Sequence, residues 1–229
     1  MTAEKEAILR AKMAQSKALT SLSSDSAKEW VEPRVSQKRF KHIVGVAQTA
    51  RELALLAGCD PHAAELAGWL HDACKETKDK VLVEEARRFG LTLHPAEEKN
   101  GHLLHGPVAA EVVRRELGIE DLEFLNAIRE HTLGAIAMST LSKVVFLADA
   151  IEPGRPVGDR EPIWRVLKDY TKEDVAAGDF GFALNLAVQL SCDIGLASLI
   201  ASGRPIHPKT VDVRNYYLEI NAAFRKRSD

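Results

Sequence analysis

The chain has 229 residues, of which 45% are hydrophobic and 28% charged, with 31 Lys+Arg against 33 Asp+Glu. A net charge of −2 argues against a partner found through a strongly basic surface, so neither non-specific nucleic-acid binding nor a polybasic membrane face is expected. The length suits one domain with an appendage, able to bury roughly 70% of its unfolded surface.

The opening stretch MTAEKEAILRAKMAQSKALT has no continuous apolar run of the kind a signal peptide needs. No segment of about 18 apolar residues predicts a membrane span. Cys59, Cys74 and Cys192 are odd in number and form no CxxC pair, so free buried thiols in a reducing compartment are expected, which points to the cytoplasm. Residues 1–36 read as an N-terminal extension, helical or flexible. An amphipathic helix is expected from Ala3 to Leu19, followed by a Ser-rich charged stretch broken at Pro33. The folded domain is expected over residues 37–229.

From Gln37 the pattern is helical. Phe40, Val44, Ala47, Ala50, Ala54 and Leu55 fall on one side at 3.6-residue spacing, and Gly58 is a natural stop. Asp60 and Pro61 read as N-cap and first helical position. The helix they open carries Ala64, Leu66, Ala67, Trp69 and Leu70, apolar on most sides, which predicts a central position. A polar surface helix follows over about 78–89. Further helices are predicted over about 105–117, 121–131 and 139–152, the last started by Ser139. A long helix over about 180–202 ends at Gly203, and Pro208 opens a final one. Nothing alternates with period two, so the fold class is all-α. The apolar face of the long helix suits either core packing or a homodimer contact.

The chemistry-bearing residues sit at particular places in these helices. His71-Asp72 ends the most apolar helix, where a carboxylate beside an imidazole is costly unless something pairs with it. A metal ion would hold both groups in one sphere. The plainer alternative is a helix end where His compensates the dipole and Asp faces water. His42 lies in the preceding helix, His105 opens a helix, His131 ends one, and Asp149 lies inside the apolar SKVVFLADAIEP. Each alone reads as a cap, a hydrogen-bonded core histidine or an Asp paired with Arg. Together they form an imidazole and carboxylate set without thiolate, which suits Fe, Mn, Zn or Co rather than a cysteine-zinc site. His62 and His94 read as surface residues, His102 as a surface or entrance residue, and His207 as a cap for the last helix.

The order His42, His71-Asp72, Asp149 resembles that of the HD-domain metal-dependent phosphohydrolases, and His105 and His131 resemble the extra ligands of their dinuclear branch. The strings RFKHIVGVAQTA, ELAGWLHDACKE, LLHGPVAAEVV, AIREHTLGAIAMSTLSKVVFLADAIEPGR and GRPIHPKTVDVRN resemble the YqeK family of symmetrical bis(5'-nucleosyl)-tetraphosphatases, over about residues 37–220. The resemblance implies an all-α HD-domain bundle with its metal site among the central helices. It implies a dinuclear transition-metal centre, iron first, with Mn, Co or Zn as alternatives. It also implies hydrolysis of diadenosine tetraphosphate to two ADP by a metal-bound hydroxide attacking an inner phosphorus. By position, His42, His71, Asp72 and Asp149 would hold one ion and His105 and His131 the second, with Asp72 as the bridge. Asp72, Lys75, His105 and His131 would carry catalysis. Arg39, Lys75, Thr132 and Arg155 would bind the substrate phosphates.

Two positions depart from the family pattern: Ile43 stands where Thr is common, and Leu133-Gly134-Ala135 replaces a stretch that commonly carries Gly-Arg. Neither removes a ligand. The rival readings are an HD phosphohydrolase acting on a nucleoside mono- or triphosphate, and a nucleotide-binding module without turnover. Loss of a ligand would favour the latter, and none is lost.

Overall fold

The structure, a computed structural model, describes residues 19–169 and 179–228. Every regular element among them is helical, in agreement with the all-α expectation. The helix predicted from Ala3 to Leu19 lies outside the described residues except for its last position.

The first helix, α1 (Ser24–Val31), is started by the Ser23 hydroxyl, which accepts from Ser26 N. Its Ala27 and Val31 are fully buried, and it packs against α3 (Pro61–Leu70). A 3-10 turn (Glu32–Arg34) carries Pro33 and leads to α2 (Gln37–Ala57). The last part of the expected extension is thus packed into the domain, ahead of the boundary drawn at residue 36.

Local signals place the next helices where the sequence puts them. Ser36 caps α2, and Gly58 ends it at φ 66°, a left-handed conformation that glycine adopts without a Cβ penalty. Asp60 accepts from the backbone N–H of His62 and Ala63 to start α3, a cap worth about 1 kcal/mol. Seven of the ten residues of α3 are buried, including Leu66 and Leu70, each contributing roughly 1.5–3 kcal/mol. It packs on α2, on α7 (Leu122–Glu130) and on α8 (Thr140–Ile151). Around this centre run α4 (Asp79–Arg88), the short α5 (Pro95–Lys99), a 3-10 turn (Gly101–Leu104) and α6 (His105–Leu117).

Beyond α8 come α9 (Val157–Asp169), α10 (Asp179–Ala201) and α11 (Pro208–Ser228). The periodicity did not single out α9, because Pro162 sits inside it and removes a backbone donor. Tertiary contacts compensate: Ile163 and Leu167 are buried, and the Trp164 indole donates to the Ile151 carbonyl at 3.2 Å. The segment Phe180–Ala201 of α10 is long and apolar enough to cross a membrane by length and composition. Its Ala183, Ala187, Val188 and Cys192 are buried, and it packs against α11, α9 and α8. Asp193 on the same helix is paired with Arg214 of α11 at 2.7 Å. Part of its apolar surface is therefore core.

Candidate metal centre

The buried end of α3 forms the floor of the site. Because α3 runs through the middle of the bundle, its C-terminal residues emerge inside the molecule, and His71 and Asp72 are 0% and 2% exposed. Around them α2 supplies His42, the start of α6 His105, the end of α7 His131, and the last turn of α8 Asp149. All six expected ligands converge. The groups His42–His71–Asp72, His71–His131–Asp149 and Asp72–His105–His131 each bring their ligand atoms within 4.8 Å of one another.

Asp72 lies between two pairs of imidazoles. Its Oδ2 is 3.6 Å from His42 Nε2 and 3.5 Å from His71 Nε2. Its Oδ1 is 3.3 Å from His105 Nε2 and 3.4 Å from His131 Nε2. Asp149 Oδ1 is 3.0 Å from His42 Nε2.

The far side of each ring is held as a metal ligand requires. Nδ1 of His71, His105 and His131 donates to the carbonyl three residues earlier, on Gly68, His102 and Ile128, at 2.7, 2.5 and 2.7 Å. His42 Nδ1 meets Glu152 Oε1 at 3.0 Å. With its proton on Nδ1, each ring turns an Nε2 lone pair inward.

These inward atoms fit a divalent cation. His42 Nε2, His71 Nε2 and Asp72 Oδ1 are buried without a hydrogen-bond partner, each a cost of about 1–3 kcal/mol if nothing else satisfies it. The 3.0 Å approach of His42 Nε2 to Asp149 is a contact without hydrogen-bond alignment. Nε2 of His105 and of His131 face each other at 3.0 Å, an opposition of lone pairs that a cation relieves.

The protonation states also fit. Burial pushes His105 down to about 4 against the pull of Asp72, so its ring is neutral at neutral pH. Burial works against ionisation of Asp72, and the imidazoles, His71 first, outweigh it, holding the carboxyl well below the usual range. Asp149 is half-buried, and against its desolvation the His42 contact and the Arg155 charge hold its carboxyl well below the usual range. Neutral imidazole and ionised carboxylate are the forms that bind metal.

With this geometry in view, comparison with known proteins is specific. The family model of the HD domain matches residues 39–154. The chain belongs to the HD domain family. Within it, the chain is 36% identical over 197 residues to "Bis(5'-nucleosyl)-tetraphosphatase, symmetrical" of Halalkalibacterium halodurans, an alignment covering 86% of this chain and 98% of the relative. It is 32% identical to the protein of the same description from Staphylococcus aureus, over 86% of this chain and 95% of that one. The crystal structure of an HD superfamily hydrolase from Clostridium acetobutylicum, described as involved in NAD metabolism, superposes with a TM-score of 0.75 at 31% identity, covering 86% of this chain and 98% of that one.

The remaining expected residues also border the HD centre. Lys75 Nζ is 3.1 Å from His105 Nε2, and burial lowers its pKa. Thr132 Oγ1 is 3.0 Å from the Nε2 of both His105 and His131. Arg39 pairs with Asp72 Oδ2 at 3.0 Å. Arg155 pairs with the Asp149 carboxylate and donates from Nε to the Asp149 carbonyl at 2.7 Å. Ile43, one of the departures from the family pattern, is fully buried in the core. His102 is half-buried and shares a cavity wall with His131. His62 is half-buried, its Nε2 bonded to the Leu22 carbonyl. His94 caps α5 and packs against the ring of His207, which accepts from Lys209 N as the expected cap.

Sequence reasoning missed Glu152, which ends α8 three residues after Asp149 and is 4% exposed. Its Oε1 orients His42, and its Oε2 accepts from Gly154 N at 2.5 Å. A Cβ on Gly45 would lie 2.6 Å from that Oε2, so glycine there makes room for the carboxylate. The available signal is its place in the IEPGR string, three residues before Arg155. Glu152→Gln is expected to weaken metal affinity about tenfold, because the neutral amide no longer raises the basicity of His42. Competition against a chelator measures this, and an unchanged affinity would remove Glu152 from the centre.

Proposed function

We infer that this protein hydrolyses diadenosine tetraphosphate symmetrically to two ADP, using divalent metal bound at the six-residue cluster. The observation that carries this is a complete inward-facing donor set in a chain that spans 98% and 95% of two proteins described as symmetrical bis(5'-nucleosyl)-tetraphosphatases. A centre of two ions is supported by Asp72, whose two oxygens face two different imidazole pairs. When bound, the metal neutralises phosphate oxygens and lowers the pKa of water so that it attacks at neutral pH.

The chain's own residues supply the rest. Arg39 and Arg155 rest on the carboxylates of Asp72 and Asp149. Placed beside the carboxylates that would hold the metal, both guanidiniums are positioned to take phosphate oxygens in their planar forks. Lys75 and Thr132 place a cation and a hydroxyl beside His105 and His131, where they stabilise charge building on the departing diphosphate. Burial of Asp72, His71 and His105 excludes bulk water and strengthens each of these interactions.

The test is product analysis. Purified protein is incubated with diadenosine tetraphosphate and Fe(II), Mn(II) or Co(II), anaerobically for iron, and the nucleotides are resolved. ADP as the sole product is expected. AMP plus ATP would place the attack at another phosphorus, and no turnover with metal bound would move the activity to another phosphoester.

A further inference from the structure

Two separate cavities open onto the metal centre, and together they match a substrate with two nucleoside ends. The first, about 730 Å³, runs along α2 and the segment after α8, reaching the centre at His42. The second, about 470 Å³, lies between α8, α10 and the loop before α11, reaching it at His131 and Asp149. Both volumes fall in the range of sites that enclose a small ligand, roughly 300–1,000 Å³. Arg155 lines both, and its side chain is anchored on Asp149 between them.

The two cavities share a chemical plan. In the first, Lys38, Arg39 and Lys41 supply positive charge, and Val44, Pro153 and Pro156 supply apolar wall. In the second, Lys75 and Arg204 supply the charge, and Leu133, Phe146 and Leu199 the apolar wall. Positive charge with an apolar face suits a nucleoside diphosphate, whose phosphates need cations and whose base needs an apolar surface.

We propose that each cavity holds one nucleoside diphosphate half of the substrate, with Arg155 at the junction over the central phosphates. The inference rests on the reading of this chain as a symmetrical tetraphosphatase and adds a reason for the symmetry. Equal halves anchored in separate cavities hold the middle of the tetraphosphate over the metal ligands. Cleavage there leaves one ADP in each cavity.

The experiment counts ADP bound per chain by calorimetry on the metal-loaded protein, with ADP up to millimolar concentration. Wild type is expected to bind two. Gln48→Trp fills the first cavity from the exposed face of α2, and Ser198→Trp fills the second from an exposed position on α10. Each variant is expected to bind one ADP and to raise KM for diadenosine tetraphosphate at least about tenfold, with metal content unchanged as the control for folding. Fewer than two ADP on wild type overturns the proposal, and so does a folded variant that takes two or none. If wild type makes ADP from diadenosine tetraphosphate yet binds a single ADP, the inference fails while the activity stands. If it makes no ADP, the activity itself fails.

Discussion

Asp72→Ala is expected to lose bound metal and turnover together. The two oxygens of Asp72 face the two imidazole pairs, at 3.5 and 3.6 Å on one side and 3.3 and 3.4 Å on the other. Removing an outer partner of a ligand costs about 10–100-fold in metal affinity, and removing this shared carboxylate should exceed the upper end of that range. Metal analysis after gel filtration and the rate of ADP formation are the two readings. The substitution also takes away the partner of Arg39 and leaves four imidazoles without their central anion. The fold is expected to persist, because the core lies along α2, α3, α7 and α8 rather than at the carboxylate. Metal retained at wild-type level with activity lost would restrict Asp72 to chemistry, and full activity would remove it from the centre.

Gly68→Ala is expected to destabilise the protein by about 2–3 kcal/mol, in the upper range for overpacking. A Cβ at this position would lie 2.6 Å from Ala47 Cα and 3.0 Å from Ala47 N. Both are backbone atoms of α2, so nothing flexible can move aside and the helices must separate. The intrinsic gain of Ala over Gly in a helix, about 1 kcal/mol, is too small to offset that. For a chain of this size the melting temperature should fall by roughly 5–10 °C. The same displacement moves His71, whose Nδ1 is bound to the Gly68 carbonyl, away from His42. Metal affinity should therefore fall with stability. Gly158→Ala is the control: it lies in α9 with nothing within 4 Å of its Cβ position, and it should be neutral or slightly stabilising. Equal melting temperatures for Gly68→Ala and wild type would show that the close contact between α2 and α3 carries no weight.

Helix termini were legible in the sequence because the signals are local. Gly58, Asp60, Ser139 and Pro208 each act on backbone groups within a few residues, and the structure uses all four. The central place of α3 followed from its apolar composition, since a helix apolar on most sides must be covered on most sides. The six candidate ligands were legible as imidazole and carboxylate types embedded in apolar sequence, where such a side chain is costly without a partner. Helix α9 was less legible, because Pro162 argues locally against a helix that Ile163, Leu167 and Trp164 stabilise through distant contacts.

What the sequence by itself determined is therefore most of the helices, their apolar faces and the list of donor groups. Only the tertiary structure decided how those donors meet. The split of Asp72 between two imidazole pairs, the carboxylate of Glu152 behind His42, the pairing of Arg39 and Arg155 with Asp72 and Asp149, and the two cavities at Arg155 all join residues far apart in the chain. No local propensity encodes a distance across 110 residues, such as that between His42 and Glu152. That distance is set by how α2 and α8 pack against α3, where the absence of a single Cβ at Gly68 lets two backbones approach.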